Sequence, residues 1–197
     1  MRQSRILKHP KNMKIYRRRL PHRDIPGTPV FVTWRLSGSL PSERIFLPEH
    51  LTSGQAFVAW DRLLDRTRTG PLYLAQPEIA RVVVRSLCCA AANGSATLHA
   101  YVVMPNHVHV LWTPQTTLSD LLRRIKGTTA REANSFLHRK GEQFWQQEFF
   151  DRTVRSAEEF ARIVRYIEWN PVKAGLVARP EEFSWSSAKA GLKTRAD

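Results

Sequence analysis

The chain has 197 residues, enough for one sizeable hydrophobic core with inserted loops, and too few for several independent domains. Lys and Arg number 31 against 17 Asp and Glu, a formal charge of +14 and a sequence pI near 10.7, which point to a polyanionic partner rather than a membrane or a basic protein. No apolar run approaches the ~18 to 20 residues of a membrane span, no signal-peptide pattern opens the chain, and the two cysteines, Cys88 and Cys89, are adjacent, which excludes a disulfide framework or a CxxC metal site. The chain thus reads as cytoplasmic, with the thiols as small core-filling groups of a helix.

The charge is concentrated at the start. Residues 1 to 23 hold nine Lys or Arg, including Arg17, Arg18 and Arg19, and no acid. Residues 1–24 therefore form a basic arm, either an electrostatic contact to nucleic acid or a solubilising tail. "PVFVTWRL" (29 to 36), β-rich and bounded by Gly27 and Gly38, predicts a first strand. Over about 40–75 an insertion follows, in which Phe57, Trp60, Leu63 and Leu64 recur at helical spacing. "PEIARVVVRSLCCAAANG" (77 to 94) opens on Pro, closes on Asn-Gly and aligns Ile79, Val82, Val83, Leu87 and Ala90 on one stripe, so it is a helix. "ATLHAYVVM" and "HVHVLWT", joined at Pro105-Asn106, form an antiparallel hairpin. A second helical region runs from about Ser119 to His138, with a break expected near Gly127, and "FWQQEFFDRTV" after it is strand-like. Ser156 and Glu159 make a capping box for a third helix over roughly 157 to 169, ending before Pro171. Strand, helix, strand, strand, helix, strand is the order of the ferredoxin-like (RRM-like) α+β fold: an antiparallel sheet with helices packed on one face. The expected domain spans residues 25–188, with 189–197 as a tail.

Side chains alternate along a strand, so His107, His109 and Leu111 share one side of the second hairpin strand. Two imidazoles on a stiff strand can supply two vertices of a metal's coordination shell, although polar residues on a half-exposed sheet face need no function. On the third helix Phe160, Ile163, Val164 and Ile167 form the core stripe, and Tyr166 and Asn170, one turn apart, lie on its flank. The Asn170 amide can complete a ligand set and leave Tyr166 beside a metal as a nucleophile. Taken in isolation, "YIEWNP" reads first as a boundary tyrosine, Tyr166, and a helix-ending residue before proline, Asn170.

"MPNHVHVLW", with "RYIEWNPVKAGLV" and "FSWSSA" further on, resembles the REP-associated tyrosine transposases, relatives of the single-tyrosine HUH transposases, over residues 28 to 188. The resemblance implies a divalent metal, Mg or Mn, held by His107, His109 and Asn170, where several relatives carry glutamine at the last position. It implies attack of Tyr166 on a DNA phosphate, giving a covalent 5′-phosphotyrosine and a free 3′ hydroxyl, in single-stranded DNA at repeats that form hairpins. A homodimer that trades the tyrosine helix between subunits is compatible with it. No Gly-rich phosphate loop suggests a nucleotide cofactor, and rejoining through a phosphotyrosine needs none. Arg17, Arg18, Arg19 and Lys126 are DNA-contact candidates, and Trp34, Trp145 and Phe149 are candidates for base stacking or for the core. Two other readings stand beside this one: a non-catalytic ferredoxin-like module that binds single-stranded nucleic acid, and a nuclease that uses a metal-activated water.

Overall fold

The computed structural model describes residues 26–40, Leu64 and 70–190, together with the backbone of two short strands at 14–17 and 21–24. The strands are β1 (Lys14–Arg17), β2 (Pro21–Asp24), β3 (Val30–Arg35), β4 (Ala96–Val103), β5 (His107–Pro114) and β6 (Phe150–Thr153), and the helices are α1 (Pro77–Ala92), α2 (Leu118–Phe136), α3 (Ala157–Lys173) and the short α4 (Ser187–Ala190). The main sheet runs β4-β5-β3-β6 with every neighbouring pair antiparallel, the expected ferredoxin-like arrangement. Within the basic arm, β1 and β2 pair as an antiparallel hairpin, so part of that segment has regular backbone, and β2 lies beside β6. Most of the insertion over 40–75 falls outside the described residues.

Alternation along the strands divides the core in two. Val30, Val32 and Trp34 of β3 and Val108, Val110 and Trp112 of β5 face α1 and α2, meeting Ile79, Val83 and Leu87 of the first and Leu121, Leu122 and Ile125 of the second. Helices on one face is thus the rule for the two that link the strands. α3, which follows the six-element core, covers the opposite face: Val164 and Ile167, with half-buried Phe160 and Ile163 beside them, meet Phe31, Ala100, Val102, Met104 and Leu111. This is the face to which β5 turns its histidines. Burying a side chain such as Ile167 contributes about 1.5–3 kcal/mol, and that burial seats the helix over the sheet.

Local chemistry sets the element ends. Pro77 starts α1, where a missing N–H costs nothing, and Gly94 leaves it at φ 72°, in the left-handed region. The Ser156 hydroxyl accepts from the Glu159 N–H at 3.1 Å, the predicted cap of α3. The Glu159 carboxylate departs from the standard box: it takes the Arg155 N–H at 2.9 Å and the Arg152 guanidinium at 2.7 Å, tying the helix start to β6. The "FSWSSA" segment closes the free edge of β4, where Val103 N–H donates to the Trp185 carbonyl at 2.9 Å and Tyr101 N–H to the Ser187 hydroxyl at 3.1 Å.

Several expectations are corrected. α2 is unbroken, because Gly127 lies mid-helix where a Cβ would meet nothing, and nothing there demands a kink. α3 passes through Pro171 to Lys173: the proline ring is buried, and helical bonding resumes beyond it with Ala174 N–H on the Asn170 carbonyl at 3.0 Å. Only Phe150–Thr153 of the strand-like segment is a named strand, while Trp145 makes an isolated bridge to Leu36. Cys88 and Cys89 are exposed rather than core-filling, since the buried stripe of α1 runs through Leu87 and Ala90 and leaves both thiols on the outer side.

Candidate active site

His107 and His109 leave β5 on the α3 side and are fully buried. Their Nε2 atoms face each other at 3.0 Å, with ring centroids 4.6 Å apart. Each ring is held from behind. The Asn106 amide nitrogen donates to the Leu64 carbonyl at 3.0 Å, which turns its oxygen onto His107 Nδ1 at 2.6 Å. His107 Nδ1 therefore carries the proton and its Nε2 presents a lone pair. Thr33, the cross-strand partner of His109 on β3, places its hydroxyl 2.7 Å from His109 Nδ1. A hydroxyl both donates and accepts, so Thr33 supports either tautomer of His109.

From the other segment, Asn170 is fully buried and sets its amide nitrogen 3.4 Å from His109 Nε2. The Tyr166 ring lies 5.6 Å from the His109 ring, centroid to centroid, and meets Phe31 edge-on at 6.0 Å. Phe31 also stacks on His109 at 5.7 Å, so one side chain of β3 sets the spacing between imidazole and phenol. Lys173, two turns further along α3, puts its ammonium 4.7 Å from the centre of the Tyr166 ring. The tyrosine thus sits well within the distance expected of a shared site, and all four predicted residues converge within one chain.

Among the described residues no cluster of three or more His, Cys, Asp or Glu exists, so a cation here would rest on the two imidazoles and the Asn170 amide. The donors fit a hard or borderline divalent ion. Two ligands at right angles with bonds of about 2.1 Å stand about 3.0 Å apart, which is the separation of the two Nε2 atoms. A half-turn of the Asn170 amide would direct its oxygen to the same place, and a neutral set of this kind leaves the ion's charge for a phosphate.

The remaining candidates scatter. Arg17 ends β1, while Arg18 and Arg19 lie outside the described residues. Lys126 donates to the carbonyls of Gln146 and Gln147 at 2.7 and 3.0 Å, so its ammonium braces a loop on α2. Trp34 and Trp145 are core residues, 1% and 5% exposed, which removes them as stacking platforms; the half-buried Phe149 has Lys126 6.0 Å from its ring centre. Sequence pattern did not single out Thr33, Asn106, Phe31 or Lys173 for this site. Only Asn106, a turn asparagine beside a histidine, carried a local signal.

Residues 74–170, which include every member of this constellation except Phe31, Thr33, Leu64 and Lys173, match the family model described as "Transposase IS200 like". A REP-associated tyrosine transposase of Escherichia coli (strain K12) is 32% identical over 94 residues, covering 46% of this chain, and the match spans about half (53%) of that relative's length. A solved structure of a REP-associated tyrosine transposase bound to a REP hairpin superposes with a TM-score of 0.57 at 23% identity, covering 94% of this chain and 92% of the other, a likeness of fold. Over residues 74–170 the sequence is thus similar to the IS200-like transposases, and over most of its length the fold is like that of a REP-associated tyrosine transposase.

Proposed function

We propose that the protein is a metal-dependent endonuclease and strand transferase for single-stranded DNA, acting through a covalent phosphotyrosine at repeats that form hairpins. The observation that carries this reading is the meeting of Tyr166 and Asn170 of α3 with His109 of β5, at 5.6 Å between rings and 3.4 Å between nitrogens. A sheet that only bound nucleic acid would not need a tyrosine beside a buried imidazole pair. The relative whose structure holds a REP hairpin supports hairpin DNA as the substrate class.

A bound Mg or Mn ion would polarise the scissile phosphate. His107, its proton held on the Asn106 side, would direct a lone pair into the site, His109 would do the same in the tautomer whose Nδ1–H donates to Thr33, and Asn170 would add a neutral donor. The Tyr166 phenol attacks phosphorus and releases its proton to solvent; the bond from phosphorus to the 3′ oxygen breaks, and that oxygen takes up a proton. One phosphodiester is exchanged for another, so the 3′ hydroxyl can reverse the step on the same or another strand with no nucleotide cofactor. Since both imidazoles are fully buried, the phosphate enters with displacement at the Tyr166 edge of α3. The tyrosine helix lying over the histidines of its own chain supports a cut made by one subunit.

The test uses single-stranded oligonucleotides spanning any inverted repeat found in the DNA beside the gene, with magnesium or manganese. Wild type should yield a fragment ending in a 3′ hydroxyl and a protein band shifted by covalent DNA. Tyr166→Phe should lose that band yet still bind DNA, because only the attacking oxygen is removed. Cutting by Tyr166→Phe with free ends on both sides would establish a water nucleophile instead. No cleavage of any flanking repeat by wild type would leave a binding module.

A further inference from the structure

The outer face of α3 carries chemistry that the proposed reaction does not use. At 100° per residue, Arg162, Trp169 and Lys173 fall within about 40° of one another, Arg165 lies beside them, and Tyr166 borders the same stripe. All four flanking side chains are exposed, and Trp169 is 46% exposed, which places a large aromatic surface in water one turn from the tyrosine. Lys173 already overlies the Tyr166 ring at 4.7 Å, so the stripe is continuous with the site. Between residues 160 and 173 the single acid is Glu168, and its carboxyl is turned to the Ser187 hydroxyl, away from the stripe. Over residues 162 to 173 the stripe therefore presents three cations and one indole with no carboxylate among them; exposed Glu158 lies on the same side one turn before Arg162, at the end remote from Trp169.

An indole flanked by cations at i−4 and i+4 suits an unpaired nucleotide: the base stacks on the ring while its phosphates meet Arg165 and Lys173. Duplex DNA would hide its base faces from the indole. We infer that Trp169 is a stacking platform for one unpaired base next to the phosphate presented to Tyr166, and that Arg162, Arg165 and Lys173 carry the backbone of that strand along α3. The inference rests on Tyr166 being the DNA nucleophile, since that fixes which phosphate lies beside Trp169.

Binding is measured in the Tyr166→Phe background, with chelator and no metal, by anisotropy of a fluorescein-labelled mixed-sequence single strand of about 20 nucleotides. No chemistry is needed, so failure of the covalent reaction leaves this result intact. Trp169→Ala should weaken binding about tenfold with its salt dependence kept, and Trp169→Phe should restore most of the loss. Arg165→Ala and Lys173→Ala should each lower the salt slope by about 0.7, the change for one phosphate of a single strand that is no longer neutralised. In the protein that keeps Trp169, abasic substitution along the repeat strand should reveal one position whose base is worth that same tenfold, and the Trp169→Ala protein should be indifferent to it. Equal affinity of Trp169→Ala and its parent, or an abasic scan with no sensitive position, would overturn the inference. So would a fall in mass from dimer to monomer on Trp169→Ala, which would make the stripe a subunit contact.

Discussion

Thr33 and Asn106 touch no substrate atom in the proposed mechanism, yet they hold the far side of each imidazole, and Asn106 also fixes the His107 tautomer. Groups that hold the far side of a ligating imidazole typically alter metal affinity by about 10–100-fold when removed. Thr33→Val keeps the β-branched shape on β3 and deletes the hydroxyl 2.7 Å from His109 Nδ1. Manganese affinity, followed by the loss of free Mn(II) signal in electron paramagnetic resonance, should fall by about that factor while the thermal unfolding midpoint barely moves. Asn106→Ala should weaken binding as well, through a ring free to adopt the other tautomer. Unchanged manganese affinity in both variants would show that the histidine pair is oriented by packing alone.

α3 is the element that turns a sheet with two histidines into a site, and Glu159 anchors its start. Burial raises the pKa of this carboxyl, but the Arg155 N–H and the Arg152 guanidinium outweigh burial and hold it below the usual glutamate range. The linked stability is fully present above the unfolded glutamate's pKa of about 4.3 and is lost as pH falls through the lower folded value. Glu159→Gln keeps an acceptor for Arg155 and should cost about 1 kcal/mol, whereas Glu159→Ala, which removes the acceptor of both the Arg155 N–H and the Arg152 guanidinium, should cost about 2 kcal/mol. Urea unfolding at neutral pH gives both values. Repeated at acid pH, the difference between wild type and Glu159→Gln should shrink; a constant difference would remove the carboxylate's charge from the account.

Across the whole molecule, a formal charge of +14 should make ionic strength the main control on the proposed DNA binding. Because Lys14–Arg17 pairs with Pro21–Asp24, truncation is best placed before Lys14, which removes the cations Arg2, Arg5, Lys8 and Lys11 and spares the hairpin. Loss of residues 1–13 should weaken binding to single-stranded DNA and flatten the plot of log affinity against log salt, while manganese affinity stays at the wild-type value. An unaltered slope would identify the segment as a solubilising tail. No helix among the described residues is long and apolar enough to cross a membrane.

Periodicity in the chain was sufficient for the hairpin at Pro105-Asn106, the α1 stripe, the Ser156 cap, and the sides of β5 and α3 that bear His107, His109, Tyr166 and Asn170, because each is a relation between residues a few positions apart. The six-element order then pointed to one strand order, and the sheet has it. Relations between distant segments left no such trace. Thr33 meets His109 across 76 residues and Asn170 meets His109 across 61, through a strand register and a helix seat set by the summed packing of Phe31, Leu111 and Ile167. That packing also put α3 opposite α1 and α2, buried Trp34 and Trp145, tied Lys126 to a loop and left Trp169 in water. A side chain's face is dictated by the geometry of its own element, but its neighbours are dictated by which surfaces exclude most water together, and that quantity belongs to the assembled fold.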